Sequence, residues 1–250
     1  VGGLAALAFL TLATGCGERS PADHAAAELP RLIQKLKDPD PEARARATDE
    51  IRALGIAHTK EALPHLFANF EDDYEKARKY AAEAVAFYGE DAIPGVLEAL
   101  RSPSPRRRAM GFVALSVFPG EIKVKLLEET LPLLAQALED ENLEVRRHAA
   151  AAARFHGSLA KSTLPIQLKV LERETDQEVV MMLLHGLTTM GPDAKEALPL
   201  LIRMQEQGIA DPRIRTLVER ARFFIEGRDQ EEDADNLPPP PPPPPPPAKP

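Results

Sequence analysis

The 250-residue sequence predicts an all-α chain, most of it an α-solenoid, a superhelix of about six stacked helix pairs. Three observations carry this. A Pro preceded by Leu or Ile recurs at Pro30, Pro64, Pro94, Pro132, Pro165 and Pro199, spaced by 34, 30, 38, 33 and 34 residues, and such a period marks stacked repeat units. After each Pro the apolar residues return at helical spacing. Trp is absent and aromatics make up 5% of the chain, so a core of Ala, Leu, Val and Ile must form between closely packed helices and not in a sheet rich in rings.

Residues 1–15 open the chain as an apolar segment whose run from Leu4 to Thr14 is too short to span a bilayer but has the length of a signal-peptide core. It ends in Leu12-Ala13-Thr14-Gly15-Cys16, which resembles the lipobox of bacterial lipoproteins. That resemblance implies removal of residues 1–15, a lipid-modified Cys16, and residues 16–24 as a lipid-attached linker. Ala13 stands where the lipobox usually has Leu, and the chain begins at Val1 without Met or a basic n-region, as an incomplete signal peptide would. Gly17 in place of Asp resembles the sorting pattern of outer-membrane lipoproteins. More than one acyl chain on one residue suffices for stable anchoring. The expected location is therefore the bacterial cell envelope, membrane-anchored, on the periplasmic or outer-membrane side.

The repeat domain is expected over residues 25–227. In the first pair Leu29, Leu32, Ile33 and Leu36 form one stripe, Asp38-Pro39-Asp40-Pro41 breaks the helix, and a second helix carrying Arg44 runs to Gly55. The second pair repeats this with Leu63, Leu66, Phe67 and Phe70, the acidic turn Glu71-Asp72-Asp73, Arg78, and Gly89. The third has Ile93, Val96, Leu97 and Leu100, the turn Ser102-Pro103-Ser104-Pro105, Arg108 and Gly120. The fourth has Leu131, Leu134, Ala135 and Leu138, then Asp140-Glu141-Asn142, Arg146 and Gly157. Pro is expected to open each pair and Gly to close it. In the fifth pair Gln167 interrupts the stripe, Val179 and Val180 stand where the others have Arg, and Gly191 closes. The sixth has Gln205 in its stripe, offers Arg213 or Arg215, and lacks a clean closing Gly; its charged second helix, with Glu219, Arg220 and Arg222, suits a polar end cap. Second helices are rich in small residues such as Ala77, Ala81 and Ala84, or Ala149, Ala152 and Ala153, which lets neighbouring helices approach closely.

Residues 228–250 are acidic, with Asp229, Glu231, Glu232, Asp233 and Asp235, and then carry ten prolines from Pro238 to Pro247. The expectation is a disordered acidic and polyproline tail. A proline run adopts polyproline II at about 3.1 Å per residue, so this one extends about 31 Å. It could be a ligand for a polyproline reader, a spacer, or a low-complexity end.

The Leu-Pro start of the first helix, the Asp-rich turn, the Glu144–Ala150 run Glu-Val-Arg-Arg-His-Ala-Ala and the closing Gly resemble HEAT repeats, especially the short bacterial type also found in phycobilin lyases. The resemblance implies a non-catalytic interaction scaffold. It also implies that Arg44, Arg78, Arg108 and Arg146 are structural, bracing neighbouring turns through acidic or carbonyl groups.

Little enzyme chemistry is available. The histidines, His24, His58, His65, His148, His156 and His185, include no pair four apart and no His-Glu dipeptide, so no metal site is expected. No nucleophile elbow, phosphate-binding Gly loop or dinucleotide fingerprint appears, and the single cysteine excludes a disulfide framework. No catalytic residue and no cofactor is therefore expected. A net charge of −8 opposes nucleic-acid binding. Arg106, Arg107 and Arg108 read either as a patch for an acidic partner or anionic lipid, or as one repeat's Arg with a solvated helix start. The expected function is a protein- or peptide-binding scaffold, contacting its partner through the second helices of the central repeats. The alternatives are an envelope spacer using the proline rod and a chromophore-lyase-like protein.

Overall fold

The computed structural model describes residues 21–55 and 59–227. The expected signal peptide, Cys16 and the acidic and polyproline tail lie outside them. Twelve α-helices form six antiparallel pairs among the described residues. They are α1 (Pro21–Lys35) with α2 (Pro41–Ala53), α3 (Thr59–Ala68) with α4 (Glu75–Phe87), and α5 (Ile93–Leu100) with α6 (Pro105–Val117). The remaining pairs are α7 (Gly120–Ala137) with α8 (Leu143–His156), α9 (Leu164–Arg173) with α10 (Gln177–Met190), and α11 (Leu198–Gln207) with α12 (Pro212–Ile225). Helix α1 begins at Pro21, ahead of the expected domain boundary at 25.

The turn between the helices of a pair ends on a capping residue. Asp40, Ser104, Asn142, Asp176 and Asp211 each accept a backbone N–H from the first turn of the following helix. This satisfies a donor that the helix itself cannot. Tyr74 is the exception, with no side-chain cap. The stripes of the first helices and the small residues of the second meet in one continuous core, with Leu32, Leu66, Phe70, Leu134 and Leu138 almost wholly buried.

Two expectations about the repeat frame need correcting. Pro94, Pro165 and Pro199 do stand in the first turn of their helices, where a missing N–H costs nothing. Pro30, Pro64 and Pro132 instead lie inside α1, α3 and α7, because there the preceding residues are themselves helical. Gly120 does not close the third pair. It is the first residue of α7, and Phe118 and Pro119 end α6 in extended conformation. The longer 38-residue interval reflects this: the extra residues lengthen α7 to 18. Conversely, the sixth pair does close on a glycine, Gly227, with φ +68°.

The second helices pack on one another in chain order, α2 on α4, α4 on α6, α6 on α8, α8 on α10 and α10 on α12. Neighbouring first helices touch far less and meet mainly through the 3-10 segments Gly89–Ala92, Gly157–Thr163 and Gly191–Ala197. The closer layer is the inside of a curve, so the second helices form the concave face.

Candidate functional site

The capping residue gives all six second helices one register. Four residues beyond it stand Arg44, Arg78, Arg108, Arg146, Val180 and Arg215. The choice between Arg213 and Arg215 is thereby decided for Arg215, whose guanidinium donates to the Ile209 carbonyl at 3.3 Å. Arg44, Arg78, Arg108 and Arg146 donate to two turn carbonyls of their own repeat, for example Arg146 to Asp140 at 3.0 Å and Glu141 at 3.1 Å. Three of them also bond the carboxylate two residues before the next cap: Arg44 to Asp72 at 2.6 Å, Arg108 to Asp140 at 2.9 Å and Arg146 to Glu174 at 2.7 Å. Each carboxylate in turn accepts a turn N–H, as Asp140 does from Asn142 at 2.9 Å. Burial pushes the Glu174 carboxyl up, but bonds from Arg146 and from the Asp176 and Thr175 N–H groups leave it below its ordinary value.

Two junctions depart from this ladder. Ser102 replaces the acid that Arg78 would meet, and Arg78 reaches past the third repeat to Glu144 at 2.8 Å. At the last junction both positions are apolar, Val180 and Ile209, and both pack on the core. An apolar pair can replace a buried ion pair at little cost.

The basic cluster is not brought together as a patch. Arg106 donates to the Glu71 carbonyl at 3.2 Å, Arg107 pairs with Glu98 at 3.5 Å, and Arg108 serves the ladder. The three guanidinium groups are aimed at three different segments.

What the second helices do present is a face of three rows. Residues two, six, nine and thirteen beyond the cap share one side of a helix. The first row is charged throughout and mixed in sign, with Glu42, Lys76, Arg106, Glu144, Glu178 and Arg213. Lys76 and Tyr74 both donate to Glu42, at 2.8 and 2.5 Å. In the middle of the concave face lie Tyr80, Val113, His148, Ala151, Met182 and His185, all half-buried. Burial, and secondarily the Lys79 ammonium, push His148 down to about 4. His185 is also lowered, by burial and by Arg154 and Arg220.

The third row lies at the C-terminal ends of the second helices. It reads Ala53, Phe87, Val117, Phe155, Thr189 and Phe224. Phe87, Val117 and Phe155 are 50%, 49% and 57% exposed, at a position where each helix could have ended on a polar residue. Cations lie over its rings: Lys123 at 5.7 Å and Arg154 at 5.5 Å from the Phe155 centroid, and Arg220 at 5.6 Å from that of Phe224. Arg154 and Arg220 form no salt bridge with a carboxylate among the described residues. None of these positions stood out in the sequence as a surface. The available signal was the last helical residue before each closing segment, as in Phe87-Tyr88-Gly89 and Phe155-His156-Gly157.

These features define an α-solenoid of helical repeats with a concave helix layer. The sequence model of HEAT repeats matches residues 29–116 and, overlapping, 63–153, together half of the chain. The chain belongs to the HEAT-repeat family. No curated protein matches it in sequence. Among solved structures it is similar to a designed armadillo repeat protein, YIII(Dq.V1)4CPAF, in complex with the peptide (KR)4, at 21% identity and TM-score 0.56 over 79% of this chain and 99% of that one. It is also similar to the CpcE–CpcF complex of phycocyanin lyase from Nostoc sp. PCC7120, at 19% identity and TM-score 0.50, covering 64% and 98%. A mutant of Kap121p matches at 16% identity and TM-score 0.57, over 87% of this chain and 26% of that one. At these identities the likeness is one of fold.

Proposed function

We propose that this chain is a non-catalytic scaffold whose concave face binds an extended peptide or protein segment, and that Cys16 anchors it by lipid in the bacterial cell envelope. The observation that carries the binding reading is the half-buried apolar strip of Val113, Ala151 and Met182, bordered by the exposed row of Phe87, Val117 and Phe155. An apolar strip with a charged row on one side and an exposed apolar row on the other suits side-chain anchors of an extended ligand. Binding of (KR)4 by the designed armadillo repeat protein supports a peptide as the kind of ligand such a fold accepts.

Crosslinking in intact envelopes tests this. A stoichiometric partner is expected with the unaltered chain, and Val113→Asp or Met182→Asp should weaken its binding at least about tenfold, or about 1.4 kcal/mol. Absence of any partner that depends on these residues favours a spacer role instead. The anchoring half has its own test, since Cys16→Ser should abolish acyl labelling and release the chain from the membrane fraction. A chromophore-lyase role, which the fold shared with a phycocyanin lyase subunit raises, requires bilin binding by the purified protein.

A further inference from the structure

We propose that residues 228–250 dock in cis along the third row, with the proline run Pro238–Pro247 lying across Phe155, Val117 and Phe87. This deepens the reading of the concave face as a peptide-binding surface, and rests on it, by naming its resident occupant.

The end of the solenoid lies at one end of this row. The described chain ends at Gly227, whose N–H donates to the Phe224 carbonyl at 3.3 Å. Residue 228 therefore starts at the sixth member of the row. Phe155 lies two repeats back, about 16–20 Å at ordinary helix spacing. The ten residues from Arg228 to Leu237 can span up to about 33 Å, so they reach it with slack.

The pitch of a proline run matches the spacing of the repeats. A polyproline II helix has three residues per turn and rises about 9.3 Å per turn, and packed helices stand about 8–10 Å apart. Every third proline thus meets one repeat, and a ten-proline run offers contacts to all three of Phe87, Val117 and Phe155. Proline rings on exposed aromatic side chains are the chemistry of polyproline recognition. The run has no N–H to satisfy, so an apolar row with few acceptors costs it nothing.

Charge is complementary along the same path. On its way from the sixth repeat to the fourth, the segment carries Asp229, Glu231, Glu232, Asp233 and Asp235 past Arg220 and Arg154, neither of which forms a carboxylate salt bridge among the described residues. Acid meets base where the path requires it. Tethering raises the local concentration of the segment to about the millimolar range, so even a weak contact is populated.

The test uses the full chain carrying Cys16→Ser, with spin labels at Ala53→Cys and Ala248→Cys. Docking places residue 248 beyond Phe87 and near Ala53, giving one narrow distance population within about 20 Å, at most two helix spacings. Phe87→Ser with Phe155→Ser, both at exposed positions and checked for unchanged helical circular dichroism, should abolish that population. It should persist on dilution with unlabelled protein; its loss there would mean a second copy's segment occupies the row and would overturn docking in cis. A broad distribution, the same with and without the serine substitutions, also overturns it. A free decaproline peptide then separates the two readings. If it binds the chain and the serine variants abolish binding, the surface reading stands without the tail as occupant; if it does not bind, the third row is no proline site and docking of the tail fails, while the surface reading stands or falls on the crosslinking of Val113→Asp and Met182→Asp.

Discussion

Arg146 reaches in two directions at once, to the carbonyls of Asp140 and Glu141 in its own turn and to Glu174 in the next. The partner Glu174 is nearly buried, with 7% of its side chain exposed. Removing the arginine leaves that carboxylate with two backbone N–H bonds but no countercharge, and breaking such a pair costs about 3 kcal/mol. Arg101, paired with Glu129 at 3.2 Å, is half exposed on both sides, and exposed pairs contribute at most about 1 kcal/mol. Urea unfolding followed by helical circular dichroism should therefore show a large midpoint drop for Arg146→Ala and a small one for Arg101→Ala. Equal effects would mean that the ladder does not brace the stack. The same contrast explains Val180 and Ile209, where both charges are absent and no orphan is created.

At the scale of the helix pair, the closing glycines divide into two kinds. Gly191 has φ +54° and ψ −132°, a conformation that side-chain-bearing residues reach only under strain. Gly120 lies in the first turn of α7 with ordinary φ, and a Cβ there would meet nothing within 4 Å. Gly191→Ala should destabilise by about 1–3 kcal/mol. Gly120→Ala should stabilise by about 0.5 kcal/mol, by restricting the unfolded chain. Thermal melts that moved both variants in the same direction would contradict the assignment of Gly120 as a helix start.

Across the whole molecule, the stack depends on inner-layer groups staying neutral. His148 is held down to about 4, and burial lowers His156 and His185 as well. Each is lowered relative to an unfolded value of about 6.5, so the unfolded chain binds more protons between about pH 6.5 and 4. Stability is then full above about 6.5 and lost as pH falls through that window. Asp211, held down to about 2 by bonds from Arg213, and Asp176, lowered by Arg147, act with the same sign at still lower pH. The melting temperature should be level from pH 8 to 7 and decline from about 6.5 toward 4, before most carboxylates titrate. His148→Gln should flatten part of that decline. A melting temperature that stays level down to pH 4.5 would show that these histidines charge without cost.

The architecture was legible because each repeat writes its own punctuation: the 3.6-residue stripe, the acidic turn, the cap and, in most copies, the glycine are local consequences of residues close together in the chain. Asp40, Asn142 and Asp176 cap helices wherever such helices form, and Leu29 to Leu36 make one face whatever they pack against. Gly120 misled for a related reason. Its place in the pattern matched the other closing glycines, yet Phe118 and Pro119 had already ended the helix, and the extra residues of α7 absorbed the shift. What no single repeat contains is the relation between repeats. The partner of Arg78 lies 66 residues away because Ser102 vacates the nearer site, and the dispersal of Arg106, Arg107 and Arg108 depends on which segments surround them. The aromatic row likewise exists only once the second helices stand side by side in a common register, since Phe87, Val117 and Phe155 are scattered in sequence and become one surface through stacking. The sequence by itself determined the repeat unit, because its signals are local; only the tertiary structure decided the face, because a surface shared by six units is a property of their arrangement.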